Sequence, residues 1–301
     1  MKVLLVVNPI SGSTDKTEFI NQAKSLCQKY GIELEEFHTT GKDDVINLEH
    51  KVKEYTPDKV ASVGGDGTTL MTSLALLGSH APMGIVPLGS ANGMAKELGV
   101  SHDPLTAFHD ILLTQVKMPL DIIKVNSEFC SIHLGDVGIN ATIVEKYSKE
   151  EERGWAAYAK HFFSAIAESE LFNVSIEIDG EIKKHEAYTV IIANTRMYGT
   201  GAVINPKGNP HDGLLEIVVV HKRNLEGLIN LGLSTISEDL VSKVEDHAKI
   251  YQVEKAKITF EEPKTLQLDG ELTGKHKELC IEIIPGAVNY LSTTDNIFYK
   301  P

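Results

Sequence analysis

Lys59-Val60-Ala61-Ser62-Val63-Gly64-Gly65-Asp66-Gly67-Thr68-Thr69 is a short apolar run that stops at a cluster of glycines. A run of strand length that ends in Gly and small polar residues, with a helical stretch beyond, marks the exit of a buried strand into a helix. Toward the N-terminus the same alternation recurs: apolar runs at residues 3–7 and 32–38, and amphipathic stretches at 17–30 and 43–55. This βαβαβ order predicts a parallel, Rossmann-like sheet covered on both faces and joined by right-handed crossovers. Ligands of such sheets gather at the carboxyl ends of the strands.

Three strand exits carry glycine and small polar residues: Asn8-Pro9-Ile10-Ser11-Gly12-Ser13, Gly64-Gly65-Asp66-Gly67-Thr68-Thr69 and Pro87-Leu88-Gly89-Ser90-Ala91-Asn92-Gly93. All three are expected on one sheet edge, each followed by a helix whose free N–H groups favour an anion. Without Cβ atoms the glycines let phosphate oxygens approach the amides closely. Asp66 would repel a bare phosphate, so Mg²⁺ or its water shell is expected between them. The same residues also fit a tight turn that ends in a Thr68 helix cap. Asn8, Ser11, Ser13 and Thr39 are further candidates for phosphate or ribose. No Lys-Ser or Lys-Thr follows the glycines and the three-glycine dinucleotide pattern is missing, so Walker and classical Rossmann sites drop out.

At 301 residues, two domains are expected, and 42% hydrophobic with 24% charged residues describes a folded globular chain. The excess of 42 acidic over 29 basic residues, net −13, argues against a nucleic-acid partner held by broad phosphate neutralisation. Cys27, Cys130 and Cys280 are odd in number and widely separated, which fits a reducing compartment. The first apolar run is too short for a signal peptide, and no stretch approaches the roughly 20 apolar residues of a membrane helix. A cytoplasmic protein is expected, with any lipid met at the membrane surface. Leu225, Leu228, Ile229, Leu231 and Leu233 fit a core-packed helix face better than a bilayer contact.

From about Leu120 the periodicity changes to closely spaced β runs at 172–179, 188–193, 214–220, 256–260 and 279–284, an antiparallel β domain, with a helix expected at 153–168. The organisation expected is 1–119 for the α/β domain, 120–286 for the β-sandwich, and 287–301 returning to the first domain. Asp-Gly-Glu occurs twice, at Asp179-Gly180-Glu181 and Asp269-Gly270-Glu271. If the later copy lies within one strand, Asp269 and Glu271 share a face, and mutual repulsion makes one carboxylate a proton acceptor or metal ligand. Asp-Gly is equally a strong hairpin signal. The earlier copy has the cleaner hairpin context and is assigned to a turn; the later one is kept as the active-site candidate. Asn209-Pro210-His211-Asp212-Gly213-Leu214 reads first as an acidic turn and second as an oxygen site for Mg²⁺ or Ca²⁺. Metalloprotease and nucleophile-elbow spacings are missing.

At these motifs, together with Ala193-Asn194 and Gly199-Thr200-Gly201, the chain resembles the diacylglycerol kinase catalytic family, which includes bacterial lipid kinases and more distant sphingosine and ceramide kinases. The resemblance implies an N-terminal nucleotide domain, a C-terminal β-sandwich and an active site between them. It implies ATP phosphates met by Asn8, Ser11, Gly12, Ser13, Gly64, Gly65, Asp66, Gly67, Thr68, Thr69, Ser90 and Asn92, with Thr39 near the nucleotide. Asp66 and Asp121 would belong to a magnesium-water network, and Glu271 with Asp269 would supply the proton acceptor. A structural Mg²⁺ is implied at Asp212 with the carbonyls of Asn209 and Leu214. Many relatives carry Asp after the Asn92 position, where this chain has Gly93. The implied activity is ATP-dependent phosphorylation of diacylglycerol or a related lipid alcohol, in phospholipid synthesis; a homodimer is left open. The rivals are NAD kinase, through its own Gly-Gly-Asp-Gly loop, and a catalytically silent nucleotide- or lipid-binding module.

Overall fold

A computed structural model describes residues 1–12, 15–139, 169–198, 202–221 and 247–300. Ser13, the helix expected at 153–168, the glycines at 199–201 and the apolar stretch at 225–233 lie outside the described residues. The chain divides into two compact units, Met1–Leu120 with Gly286–Pro301, and Asp121–Pro285.

In the first unit β1 (Lys2–Val7), β2 (Glu33–His38), β3 (Lys59–Gly64) and β4 (Met83–Pro87) form a parallel sheet in the order β4-β3-β1-β2. The helices are α1 (Thr17–Tyr30), α2 (Asp44–Tyr55), α3 (Asp66–Ala75), α4 (Gly93–Glu97) and α5 (Pro104–Leu113). In α1 the buried residues Phe19, Ala23 and Cys27 recur every fourth position, so one stripe packs on the strands while its charged residues face water. Val3, Leu5, Val7, Ala61, Val63 and Val86 meet Phe19, Phe108 and Ile111 in this core. Val7 pairs with Val63, and Gly64 pairs with Pro87, so three strands end at one level. This register brings the glycine-bearing exits to a common edge.

Lys59 is buried inside β3, and its ammonium donates to the carbonyls of Ile111, Leu112 and Thr114 at 2.9, 3.0 and 2.7 Å. These are the free carbonyls of the α5 C-terminus, where the helix dipole favours a cation.

The second unit is an antiparallel β-sandwich. Its strands are β5 (Lys117–Val125), β6 (Phe129–Ser131), β7 (Leu134–Val137), β8 (Phe172–Ile178), β9 (Glu181–Ala187), β10 (Thr189–Ala193), β11 (Met197–Tyr198), β12 (Ala202–Val203), β13 (Leu215–Val220), β14 (Ala248–Val253), β15 (Lys255–Leu268) and β16 (Glu271–Leu291). The first residues of β5 and the last of β16 belong to the first unit, where Tyr290 pairs with Met83. Strands β14-β13-β10-β7-β15-β16 are neighbours in that order, and β8 with β9 also joins β15. Opposite β16, β15 serves two further partners: Lys257 to Phe260 pair with β8, and Leu266 to Leu268 pair with β7. Its register slips between Thr259 and Lys264, the segment that holds Pro263, and a Pro in a strand belongs at such an irregularity. Both halves point apolar side chains inward, with Ile258, Phe260, Leu266 and Leu268 beside Val174, Val190, Ile217 and Ile281.

β15 and β16 run for 14 and 21 residues, well beyond the stretches 256–260 and 279–284 read from alternation. Of the added residues, Leu266, Leu268, Val288, Tyr290 and Leu291 are buried, and the largely exposed stretch from Glu271 to Glu278 is held by backbone pairing with β15. Among the described residues no helix is long and apolar enough to cross a membrane.

Candidate functional site

In the first unit the three strand exits touch through their backbones. The Leu88 N–H donates to the Gly64 carbonyl at 2.9 Å, and the Asn8 amide donates to the Val63 carbonyl at 3.1 Å. A Cβ built on Gly89 would lie 2.3 Å from Gly65 Cα, and one on Gly12 would lie 2.9 Å from the Leu88 carbonyl oxygen. Asn8 ties the first exit to the second by donating from Nδ2 to Thr68 Oγ1 at 3.2 Å, and its Oδ1 accepts the Ile10 N–H. Ser11 folds back, with amide and hydroxyl both donating to the Asn8 carbonyl. Thr68 and Thr69 are buried, and Thr69 Oγ1 returns to the Gly65 carbonyl. Gly67 and Ser90 are exposed, and a Cβ on Gly67 would meet nothing within 4 Å. Thr39, half-buried, closes β2 by donating its amide to Val7.

Two residues expected to face a ligand are also used internally. The Asp66 carboxylate accepts the N–H groups of Gly93 and Met94 at 2.8 and 2.9 Å, which caps α4. Gly93 thus offers a backbone N–H to the one carboxylate of these loops. Asn92 sits at φ 54 and grips Gly89 from both ends of its amide, accepting the N–H and donating to the carbonyl, each at 2.9 Å.

In the second unit, Asp269 and Glu271 do not share a strand face. β15 ends at Leu268 and β16 begins at Glu271, so Asp269-Gly270 is a two-residue hairpin turn with φ 47 and 92. The positive φ at both positions is what a type I′ turn demands. The earlier copy is the same device, with Asp179 at φ 51 and Gly180 at φ 82. Their surroundings differ. Asp179 is exposed, whereas the Asp269 carboxylate accepts the Ser131 hydroxyl at 2.7 Å and the N–H groups of Ile132, His133 and Leu134 at 3.1, 3.3 and 3.1 Å. Burial pushes this carboxyl above the usual carboxylate range, opposed by nearby His133 and the donors. Glu271, two residues on, is exposed.

Asp121 is 1% exposed and stitched to the other acidic turn: its amide donates to the Pro210 carbonyl at 2.9 Å, and its Oδ2 accepts the Gly213 N–H at 2.7 Å. Asn194 Nδ2 donates to the carbonyls of Asp121 and Ile132, so that motif braces this region. Asp121 therefore belongs to the second unit, and Asp66 to the first. In the turn, Asp212 Oδ1 accepts the Leu214 N–H at 3.0 Å, the Asp212 amide points to the Asn209 carbonyl, and Gly213 takes φ 76. Burial raises the Asp212 carboxyl above its ordinary value. Among the described residues no three His, Cys, Asp or Glu side chains converge as metal ligands.

Sequence reasoning passed over Glu216, a single acid inside the apolar strand β13. It is fully buried, accepts from Asn205 Nδ2 at 2.6 Å and Gln252 Nε2 at 3.0 Å, and burial raises its carboxyl to about 7 despite those bonds. In the unfolded chain the group releases its proton near 4.5. Between the two values the unfolded state binds fewer protons, so folding stability falls as pH rises from about 4.5 to about 7, then levels off. The loss expected is about 3 kcal/mol. Urea denaturation at pH 4.5 and pH 8 measures it, and Glu216→Gln is expected to flatten the difference; an unchanged slope in that variant would assign it elsewhere.

The diacylglycerol kinase catalytic domain pattern matches residues 2–125, and the YegS C-terminal NAD kinase beta sandwich-like domain matches residues 135–292. A "Diacylglycerol kinase" of Bacillus subtilis (strain 168) is 23% identical over 90% of this chain and 89% of its own. A Klebsiella pneumoniae (strain 342) protein described as "Probable lipid kinase YegS-like" is 26% identical over 95% and 94%. A crystal structure of a diacylglycerol kinase from Bacillus anthracis shares the fold with a TM-score of 0.75 at 21% identity, covering 98% of each chain. With a β-sandwich match across most of the second unit and the catalytic-domain match on the glycine exits, this chain belongs to the diacylglycerol kinase catalytic family, a family of lipid kinases, and is a kinase.

Proposed function

We propose that the protein transfers the γ-phosphoryl group of ATP to the hydroxyl of diacylglycerol or a related lipid alcohol. The observation that carries this reading is the backbone contact of the three exits. Gly12 and Gly89 lie in a packing that leaves no room for side chains, with Gly65 packed closely against Gly89 and the exposed Gly67 beside them. Such a surface presents amides to phosphate oxygens at close range. Asn8, Ser11, Gly64, Gly65, Gly67 and Ser90 are the residues assigned to the triphosphate, and Thr39 to the nucleoside side.

Glu271 is assigned as the proton acceptor, because it is exposed at the mouth of the hairpin while Asp269 is occupied in holding that hairpin. Asp269 is a positioning residue: its four donors fix the turn from which Glu271 projects. Asp212 with the carbonyls of Asn209 and Leu214 is assigned to a structural Mg²⁺, and Asp66 and Asp121, each in its own unit, are hard oxygen donors assigned to the magnesium-water network of the nucleotide. Mg²⁺ commonly takes one or two carboxylates and completes its shell with water and phosphate. Bound there, the ion would neutralise charge on the phosphates. Catalysis in this scheme is positioning plus charge neutralisation.

Radiolabelled ATP incubated with dispersed diacylglycerol, a total lipid extract and NAD in parallel tests it. Label extracted with the lipids, and none in NAD, is expected. Label in NAD would replace the acceptor, and bound ATP with no transfer to any lipid would favour the silent module.

A further inference from the structure

The three touching exits, residues 8–12, 64–69 and 87–93, contain no Lys or Arg, and Asp66 adds a negative charge. A triphosphate seated there needs a cation from outside the loops. Lys96 on α4 is partly engaged, since its ammonium is favoured by the charge of Asp66 against the cost of burial. Lys16 is different. It occupies the N-cap position of α1 and is 4% exposed, and its side chain folds back so that Nζ donates to the carbonyl of Ser11. That carbonyl is its one hydrogen-bond acceptor among the described residues. The adjacent acid, Asp15, is exposed and holds the amide and hydroxyl of Thr17 with Oδ1.

An ammonium has three donors, and Lys16, buried with a single neutral acceptor and with only the exposed Asp15 to offset its charge, is incompletely compensated. The N-terminal end of a 14-residue helix is also the end at which the dipole disfavours positive charge. Both penalties are relieved by an anion, and the Ser11 carbonyl lies in the loop whose Gly12 packs on Leu88 and Gly89, beside the Gly65–Gly89 contact. Burial lowers the Lys16 pKa in the same sense, opposed in part by the charge of Asp15.

We propose that Lys16 is a nucleotide-binding residue, which supplies the positive charge that the glycine exits lack and meets a phosphate of the bound nucleotide from the Ser11 side. The inference rests on the ATP reading above. Lys16→Met is expected to weaken ATP binding about 10- to 100-fold, the range of one charge-assisted hydrogen bond. It should raise KM for ATP with kcat changed only a few-fold. The melting temperature without nucleotide should be equal to or above that of the wild type, because a poorly compensated buried charge has been removed.

Isothermal titration with Mg·ATP, steady-state kinetics and thermal denaturation of both proteins decide the matter. Wild-type protein that binds no ATP would overturn the kinase reading itself. Wild-type binding matched by Lys16→Met would overturn only the role of Lys16. A variant that loses melting temperature and affinity together would show Lys16 to be a brace for the loop, and would overturn the proposal as well.

Discussion

Glu271→Gln is expected to lower phosphoryl transfer by about 100-fold or more, with the melting temperature unchanged. Glu271 is exposed at the first position of β16, so the isosteric amide removes proton affinity without disturbing a packed contact. The complementary variant is Asp269→Asn. Asn tolerates the φ of 47 at this position, yet its NH₂ would face the Ile132 N–H that Oδ2 now accepts or, with the amide turned over, the three donors on Oδ1. The loss expected is about 2 kcal/mol, a fall of roughly 4–8 °C in melting temperature. Asp179→Asn is the control, since that residue holds the same turn with an exposed side chain. It is expected to stay within about 0.5 kcal/mol of the wild type. Near-normal turnover in Glu271→Gln would remove it as proton acceptor. A loss of turnover in Asp269→Asn at unchanged melting temperature would transfer that role to Asp269.

The pair of Asp-Gly-Glu sequences shows where sequence reading runs out. Both are hairpin turns, and the residue types that specify a type I′ turn are identical in the two. What separates them is whether a distant segment, Ser131 to Leu134, supplies donors to the aspartate, and no local pattern records a partner over 130 residues away. The parallel sheet and its glycine exits were legible because strand, turn and helix are each encoded locally, and α1 begins and ends at the residues expected from its apolar spacing. The long strands β15 and β16 were only half legible, because apolar alternation stops at Glu261-Glu262-Pro263 and again in the largely exposed stretch from Glu271 to Glu278, which backbone pairing holds. Glu216 gave one weak signal, a single charge inside an apolar strand, and Lys16, between Asp15 and Glu18 in the sequence, gave none. Burial gives such a charge its meaning, and burial is a property of the assembled core.

Gly89→Ala carries the largest expected effect on the first unit. The added Cβ would stand 2.3 Å from Gly65 Cα, 2.7 Å from Gly65 N and 2.8 Å from Asn92 Oδ1, and two of those atoms are backbone that cannot swing aside. The exits of β3 and β4 must therefore separate, which breaks the contact between the second and third loops and shifts the amides of Gly64 and Gly65. Overpacking of this kind costs about 1–3 kcal/mol. A displacement near 1 Å among positioning groups costs about 100-fold in rate. Both losses are expected together, in the melting curve and in ATP-dependent transfer. Gly67→Ala separates steric packing from ligand approach: its Cβ meets nothing within 4 Å, and it sits in the first turn of α3, where Ala is the better helix former. That variant is expected to melt at or above the wild-type temperature and still bind ATP more weakly, because the methyl group would stand between a phosphate and the amides. Full ATP affinity in Gly67→Ala would take this loop out of the phosphate site. A Gly89→Ala variant with wild-type stability would mean that the loops are not in the contact described.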